Sequence, residues 1–139
     1  MANKIQLDIV TPMKLVVSDQ VDLVTAPGSD GTFGVMANHT AFLSSLKIGE
    51  LRYTKDASSV RLAVNGGFCE ISNNRMSVLT ESAEVSTDID VERALRAKER
   101  AERRIQEAQT SREKIDLARA QAALSRALTR LRVAGYSGH

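Results

Sequence analysis

Ser86-Thr87-Asp88-Ile89-Asp90-Val91-Glu92-Arg93-Ala94 is the stretch at which this chain changes character. All eight glycines and both prolines lie outside residues 88–134. That segment therefore holds no helix breaker, and it is rich in Ala, Arg, Glu and Leu, the strong helix formers. The quoted stretch itself starts a helix. Ser86, Thr87 and Asp88 offer N-caps, and Asp88, Asp90 and Glu92 put negative charge where the helix dipole favours it. Val91, Leu95, Ala101, Ile105 and Ala108 then give a first helix a thin apolar edge. Gln109-Thr110-Ser111 reads as the link, with Ser111 capping a second helix whose stripe is Leu117, Leu124, Leu128 and Leu131. Gly135-Tyr136-Ser137-Gly138 is its stop. The expectation is an antiparallel helical hairpin of about 22 residues per helix, roughly 33 Å each at 1.5 Å per residue. Its small apolar residues bury little area, so the hairpin is weakly held.

Upstream the pattern is that of strands. Ile5-Gln6-Leu7-Asp8-Ile9 alternates apolar and polar residues, as do 61–64 and 75–79. Turn signals fall at Thr11-Pro12, Ser18-Asp19, Pro27-Gly28, Asp30-Gly31, Gly66-Gly67 and Asn73-Asn74. Short strands at such spacing, with no helical pattern between them, predict an antiparallel β-sandwich or barrel. Aromatic residues are only 4% of the chain, so Val, Leu and Ile must fill the core. The fold class expected is α+β: a β-sandwich over residues 1–86, then a two-helix hairpin over 87–139.

The gross numbers exclude several functions. With 42% hydrophobic and 26% charged residues the chain is a globular one with room for one domain or two small ones. No apolar run is long enough to span a membrane, and Met1-Ala2-Asn3-Lys4 opens no signal or transit peptide, so a cytosolic location is expected. Cys69 is the single cysteine and sits in an apolar strand pattern, which points to a buried structural thiol. There is no CxxC, HExxH or GxxxxGK[ST] motif, and the two histidines, His39 and His139, are far apart. Neither a metal site nor a catalytic triad is indicated.

Charge is ordered in the second half. Residues 1–87 carry seven Lys/Arg against nine Asp/Glu, and residues 88–134 carry twelve against eight. Arg93, Arg96, Arg100 and Arg104 share one helical face, and so do Arg112, Arg119, Arg126 and Arg130. A solvated surface relieved by Glu92–Arg96 and Glu99–Arg103 is the plain reading for any single arginine. Two stripes in which arginine dominates and lysine is sparse favour recognition of carboxylates or phosphates. An acidic protein surface, a nucleotide polyphosphate and a nucleic acid are the candidate partners. Nucleic acid is disfavoured by a net charge of +2 and by helices with no aromatic residue to stack on bases.

In order and spacing these motifs resemble the epsilon subunit family of bacterial F-type ATP synthases, over essentially the whole chain. Residues 7–12 are similar to that family's opening strand, and residues 28–39, with their glycines and His39, to its glycine-rich loop. Val64-Asn65-Gly66-Gly67-Phe68 with Val78-Leu79 resembles its Ser-Gly-Gly-Phe strand pair. Ile89-Asp90-Val91-Glu92-Arg93-Ala94 resembles its Ile-Asp-x-x-Arg-Ala helix start. The chain departs from the pattern at Thr32, Ala37-Asn38, Ala41 and Asn65.

The resemblance implies a non-catalytic rotor subunit, with no active site of its own, in the central stalk of a proton-translocating ATP synthase. Its partners would be the gamma subunit, the c-subunit ring and the alpha/beta catalytic head. Its place would be the cytoplasmic face of the bacterial plasma membrane, held there through the complex; chloroplast members share the pattern. Gly31, Thr32, Phe33 and His39 would contact the stalk or the c-ring. In an extended state of the helices, Arg112, Arg119, Arg126 and Arg130 would meet acidic segments of the catalytic subunits and inhibit ATP hydrolysis. No cofactor is required, but ATP is implied as a regulatory ligand of the folded hairpin, at Glu84, Asp90, Arg93, Arg100, Arg126 and Arg130. The competing reading from another class is an adaptor that presents a basic helical hairpin to an acidic protein.

Overall fold

The computed structural model describes residues 3–110 and 114–137, with side chains for all of these except 114–116. The chain divides into two compact units, one ending at Val85 and the other beginning at Ser86. The first holds eight strands: β1 (Ile5–Val10), β2 (Leu15–Val21), β3 (Leu23–Gly28), β4 (Gly31–Met36), β5 (Phe42–Lys55), β6 (Ser58–Ser72), β7 (Arg75–Leu79) and β8 (Ala83–Val85). The second holds one 3-10 turn (Ser86–Asp88) and two helices, α1 (Val91–Thr110) and α2 (Lys114–Val133).

The strands form one sheet in the order β2-β1-β7-β6-β5-β3-β4, with β8 added to β6. The register shows how this one sheet becomes a sandwich. The second half of β6 pairs with the first half of β5 and with β7, which continues to β1 and β2. The first half of β6 pairs with the second half of β5 and with β8, and β5 continues to β3 and β4. β5 and β6, 14 and 15 residues long, thus serve both layers. They change layer where pairing lapses between Leu46↔Gly67 and Ile48↔Asn65. Gly66 and Gly67 lie there with φ of 75° and 109°, a conformation that glycine alone adopts cheaply.

The sandwich carries one parallel pair, β1 with β7, in an otherwise antiparallel arrangement. Three of the expected turns are strand instead. Ser18 and Asp19 lie inside β2, where Ser18 donates to the Asp8 carboxylate at 2.7 Å and Asp19 accepts from Lys55 at 2.8 Å. Pro27 lies inside β3 where the register with β5 shifts, so its missing N–H costs no ladder bond. Gly66-Gly67 is the bend inside β6. The turn at Asp56-Ala57, both at positive φ, carries no glycine and escapes the sequence pattern.

Between the layers lie Ile5, Leu7, Ile9, Val24, Val35, Leu51, Leu62, Ile71, Met76 and Val78, all fully buried. The core is aliphatic, as the composition requires. Cys69 lies within it, and burial pushes its thiol up to about 11, leaving it protonated and inert at neutral pH.

In the second unit the start of α1 differs from expectation. Residues 86–88 form the 3-10 turn, and Asp90 is the N-cap: its carboxylate accepts the Arg93 N–H at 3.1 Å and its carbonyl accepts that of Ala94. Gln109 and Thr110 belong to α1, each helix runs 20 described residues, and Ser111 lies outside the described residues. The seam buries Ala94 and Ala101 from α1 and Ala120, Ala127 and Leu131 from α2, with Leu117 and Leu124 half-buried. Leu128 is off the seam and exposed, because the alternating steps of three and four from Leu117 lead to Ala127. Beyond α2, Gly135 at φ 83° and the Tyr136 N–H bonded to the Leu131 carbonyl close the helix.

Candidate interaction surfaces

Residues that face each other across neighbouring strands project to the same side of a sheet. On the outer side of the layer built on β1 and β7, one such row reads Phe68, Leu79, Val10 and Leu15, running from β6 to β2. Phe68 is 59% exposed, Leu79 56% and Leu15 56%, and Met13 in the turn beside them is 89% exposed. Four large apolar side chains gathered on one exposed sheet face form a patch rather than scattered surface residues. The row borders an open groove of about 400 Å³ lined by apolar Val10, Pro12, Phe68 and Leu79 together with Thr11, Gly67, Thr80 and Glu81.

The next row on the same face runs Leu43, Glu70, Ser77, Asp8 and Ser18, and only its Asp8 end is held by partners. The Asp8 carboxylate accepts hydrogen bonds from Ser18 at 2.7 Å and Gln6 at 3.1 Å, and pairs with Arg75 at 2.6 Å. These donors, Ser18 first, hold its pKa below the usual carboxylate range against the opposing effect of burial. In the other layer, burial pushes Glu50 up, but Arg61 at 2.7 Å and Arg52 at 3.1 Å outweigh it and leave it lowered.

Of the residues expected to form a glycine-rich loop, Gly31, Thr32 and Phe33 lie in β4, at one end of the sheet order. Gly31 and Thr32 are exposed. Phe33 packs against the core and meets Phe42 edge-on at 5.3 Å, and His39 also meets Phe42 edge-on at 5.9 Å. Phe33 and His39 therefore share an aromatic corner, and Gly31 and Thr32 lie further along the strand.

The hairpin sorts its arginines. Arg93, Arg100, Arg119, Arg126 and Arg130 each stand one position before a buried seam residue: Ala94, Ala101, Ala120, Ala127 and Leu131. One residue is a rotation of about 100°, which carries a side chain from the seam to the flank. Because the two helices run antiparallel, the same offset reaches the same flank on both. Arg93, Arg100, Arg126 and Arg130, the four helical arginines of the expected nucleotide set, are thus brought to one side of the hairpin. Asp90 is engaged in capping α1. Glu84 belongs to the first unit, in β8 opposite Ala63. Arg112 lies outside the described residues. Among the described residues no cluster of His, Cys, Asp or Glu is arranged to hold a metal ion.

Sequence reasoning missed the exposed apolar row. One signal was present: with Cys69 and Ile71 inward, strand alternation sends Phe68 outward. The other members come from three further strands, and only the register joins them.

Residues 4–86 match the family model described as ATP synthase, Delta/Epsilon chain, beta-sandwich domain, and residues 87–135 the one described as ATP synthase, Delta/Epsilon chain, long alpha-helix domain. The chain is 53% identical over 135 residues to the ATP synthase epsilon chain of Nitratidesulfovibrio vulgaris strain DP4, covering 97% of this chain and 98% of that one. It is 48% identical over 134 residues to the ATP synthase epsilon chain of Syntrophobacter fumaroxidans, covering 96% and 98%. Among solved structures it resembles a chain of the Euglena gracilis mitochondrial ATP synthase, OSCP/F1/c-ring, with a TM-score of 0.76 at 22% identity, over 88% of this chain and 76% of that one. At that identity the likeness is one of fold.

Proposed function

This chain belongs to the epsilon-chain family of ATP synthases, whose members are non-catalytic subunits, and from that premise we propose that it is a rotor subunit that docks on the gamma subunit through the outer face of its sandwich. The observation that carries this reading is the exposed row of Phe68, Leu79, Val10 and Leu15. A contiguous row of exposed apolar side chains on one sheet face is what a stable partner covers. The corner of Phe33, Phe42 and His39, with Gly31 and Thr32 along the same strand, is the surface for the c-ring end of the stalk. No helix among the described residues is long and apolar enough to cross a membrane, and attachment to the cytoplasmic face of the plasma membrane runs through the complex.

The hairpin is the regulatory part. Packed together, α1 and α2 present Arg93, Arg100, Arg126 and Arg130 on one flank, a set suited to the phosphates of ATP. Separated, the helices bring Arg112, Arg119, Arg126 and Arg130 to acidic segments of the catalytic head and resist hydrolysis-driven rotation. The alanine-rich seam keeps the two arrangements close in energy. ATP bound only to the packed hairpin stabilises it by RT ln(1 + [ATP]/Kd), about 2.7 kcal/mol at a hundredfold excess over Kd.

The test is ATP hydrolysis by the cognate head, with the full-length chain and with a version ending at Ser86, across a range of ATP concentrations. The full-length chain inhibits, the truncation does not, and high ATP relieves the inhibition. If neither version binds the head or alters its rate, the stalk reading fails and the adaptor reading replaces it.

A further inference from the structure

The groove beside the apolar row contains a single charge. Of the residues that line it only Glu81 is ionisable; Phe68, Leu79, Val10 and Pro12 are apolar. Glu81 is exposed and has no ion-pair or hydrogen-bond partner among the described residues. Asp8, the carboxylate on the adjoining strand face, differs in both respects: it is largely covered and already takes Ser18, Gln6 and Arg75. The docking face therefore has an apolar row beside a groove whose one charge, Glu81, is uncompensated, and a neighbouring row in which Asp8 is neutralised while Glu70, outside the groove, is exposed. Across the groove, β1 to β6 through β7 is two strand spacings, about 10 Å. That is about the diameter of one α-helix with its side chains.

We infer that the groove receives one amphipathic helix of the central-stalk subunit, and that a lysine or arginine of that helix pairs with Glu81. An apolar side chain of the same helix seats between Phe68 and Leu79, and the cation beside it fixes the helix in register. A rim charge of this kind acts on encounter rate and on the choice among registers more than on the lifetime of the complex. This inference rests on the stalk-docking reading above.

The experiment measures association of the full-length chain with the cognate gamma-containing head at low and at high salt, for the wild type, Glu81→Gln, Glu81→Lys and Phe68→Ala. Glu81→Gln weakens binding about two- to fivefold and Glu81→Lys about tenfold or more, mainly through slower association. The wild type loses affinity as salt rises, and Glu81→Gln loses distinctly less, because the screened interaction is gone. Should both Glu81 variants bind like the wild type with the same salt dependence while Phe68→Ala binds weakly, the cation at Glu81 is disproved and the docking face stands. Should Phe68→Ala also bind like the wild type, the docking face falls as well.

Discussion

A side chain at Gly67 has nowhere to go. The residue sits at φ 109°, and a Cβ built on it collides with the carbonyl of Leu79. Gly67→Ala should destabilise the sandwich by about 2 kcal/mol or more, read from the midpoint of urea unfolding. Gly31→Ala, at φ 135° but with open space around it, should cost distinctly less in the same assay. Titration gives a second prediction at this scale. Asp8, Asp19 and Asp22 are all lowered, chiefly by hydrogen bonds from Ser18, Lys55 and Lys4 respectively. A depressed carboxylate contributes stability that is present above its unfolded value and is lost as pH falls through its folded value. The melting temperature should therefore hold near neutrality and drop below about pH 4. Asp8→Asn should flatten that drop. The sequence allowed part of this to be seen: Gly66-Gly67 was legible as a backbone signal, but as a turn, since nothing local says that a strand continues through it. The partners of Asp8 were illegible, because Arg75 reaches it from a strand 67 residues away.

At the scale of elements, the hairpin was the more legible half. A helix carries its pattern in consecutive residues, so the break-free segment after Asp88 sufficed to place both helices. The details that failed were local competitions. Asp90 won the cap from the residues before it because its carboxylate reaches the Arg93 N–H, and Ala127 took the seam position that leucine size alone assigned to Leu128. Two variants follow. Asp90→Ala should cost about 1 kcal/mol of helix stability by leaving that N–H without its acceptor. Leu131→Ala should cost about 2–4 kcal/mol, since Leu131 is the largest fully seated side chain of the seam. Faster amide exchange over 91–133, with the sandwich unchanged, is the measurement for both. The strands were less legible for the converse reason. Their short apolar runs were found, but β5 and β6 at 14 and 15 residues were not, because each changes its buried face midway and so breaks its own alternation.

For the molecule as a whole, the two faces of one layer have separate tasks. Cys69, Ile71, Met76 and Val78 face inward and hold the sandwich; Phe68 and Leu79, their neighbours in sequence, face outward. Phe68→Ala should therefore change unfolding free energy by less than about 0.5 kcal/mol, as an exposed position does. It should nonetheless weaken association with the stalk about tenfold, as a central aromatic anchor does. Calorimetry on the isolated chain and binding to the head separate the two effects. The sharing of β5 and β6 between layers has a mechanical consequence. In a sandwich whose sheets meet only through side chains, shear at one face is resisted by packing alone, and the sheets slip. Here a tangential pull on the outer row enters β6 directly and passes along its covalent backbone into the opposite sheet. The sandwich has no slip plane, and driven round by a turning shaft it would be twisted as one stiff body.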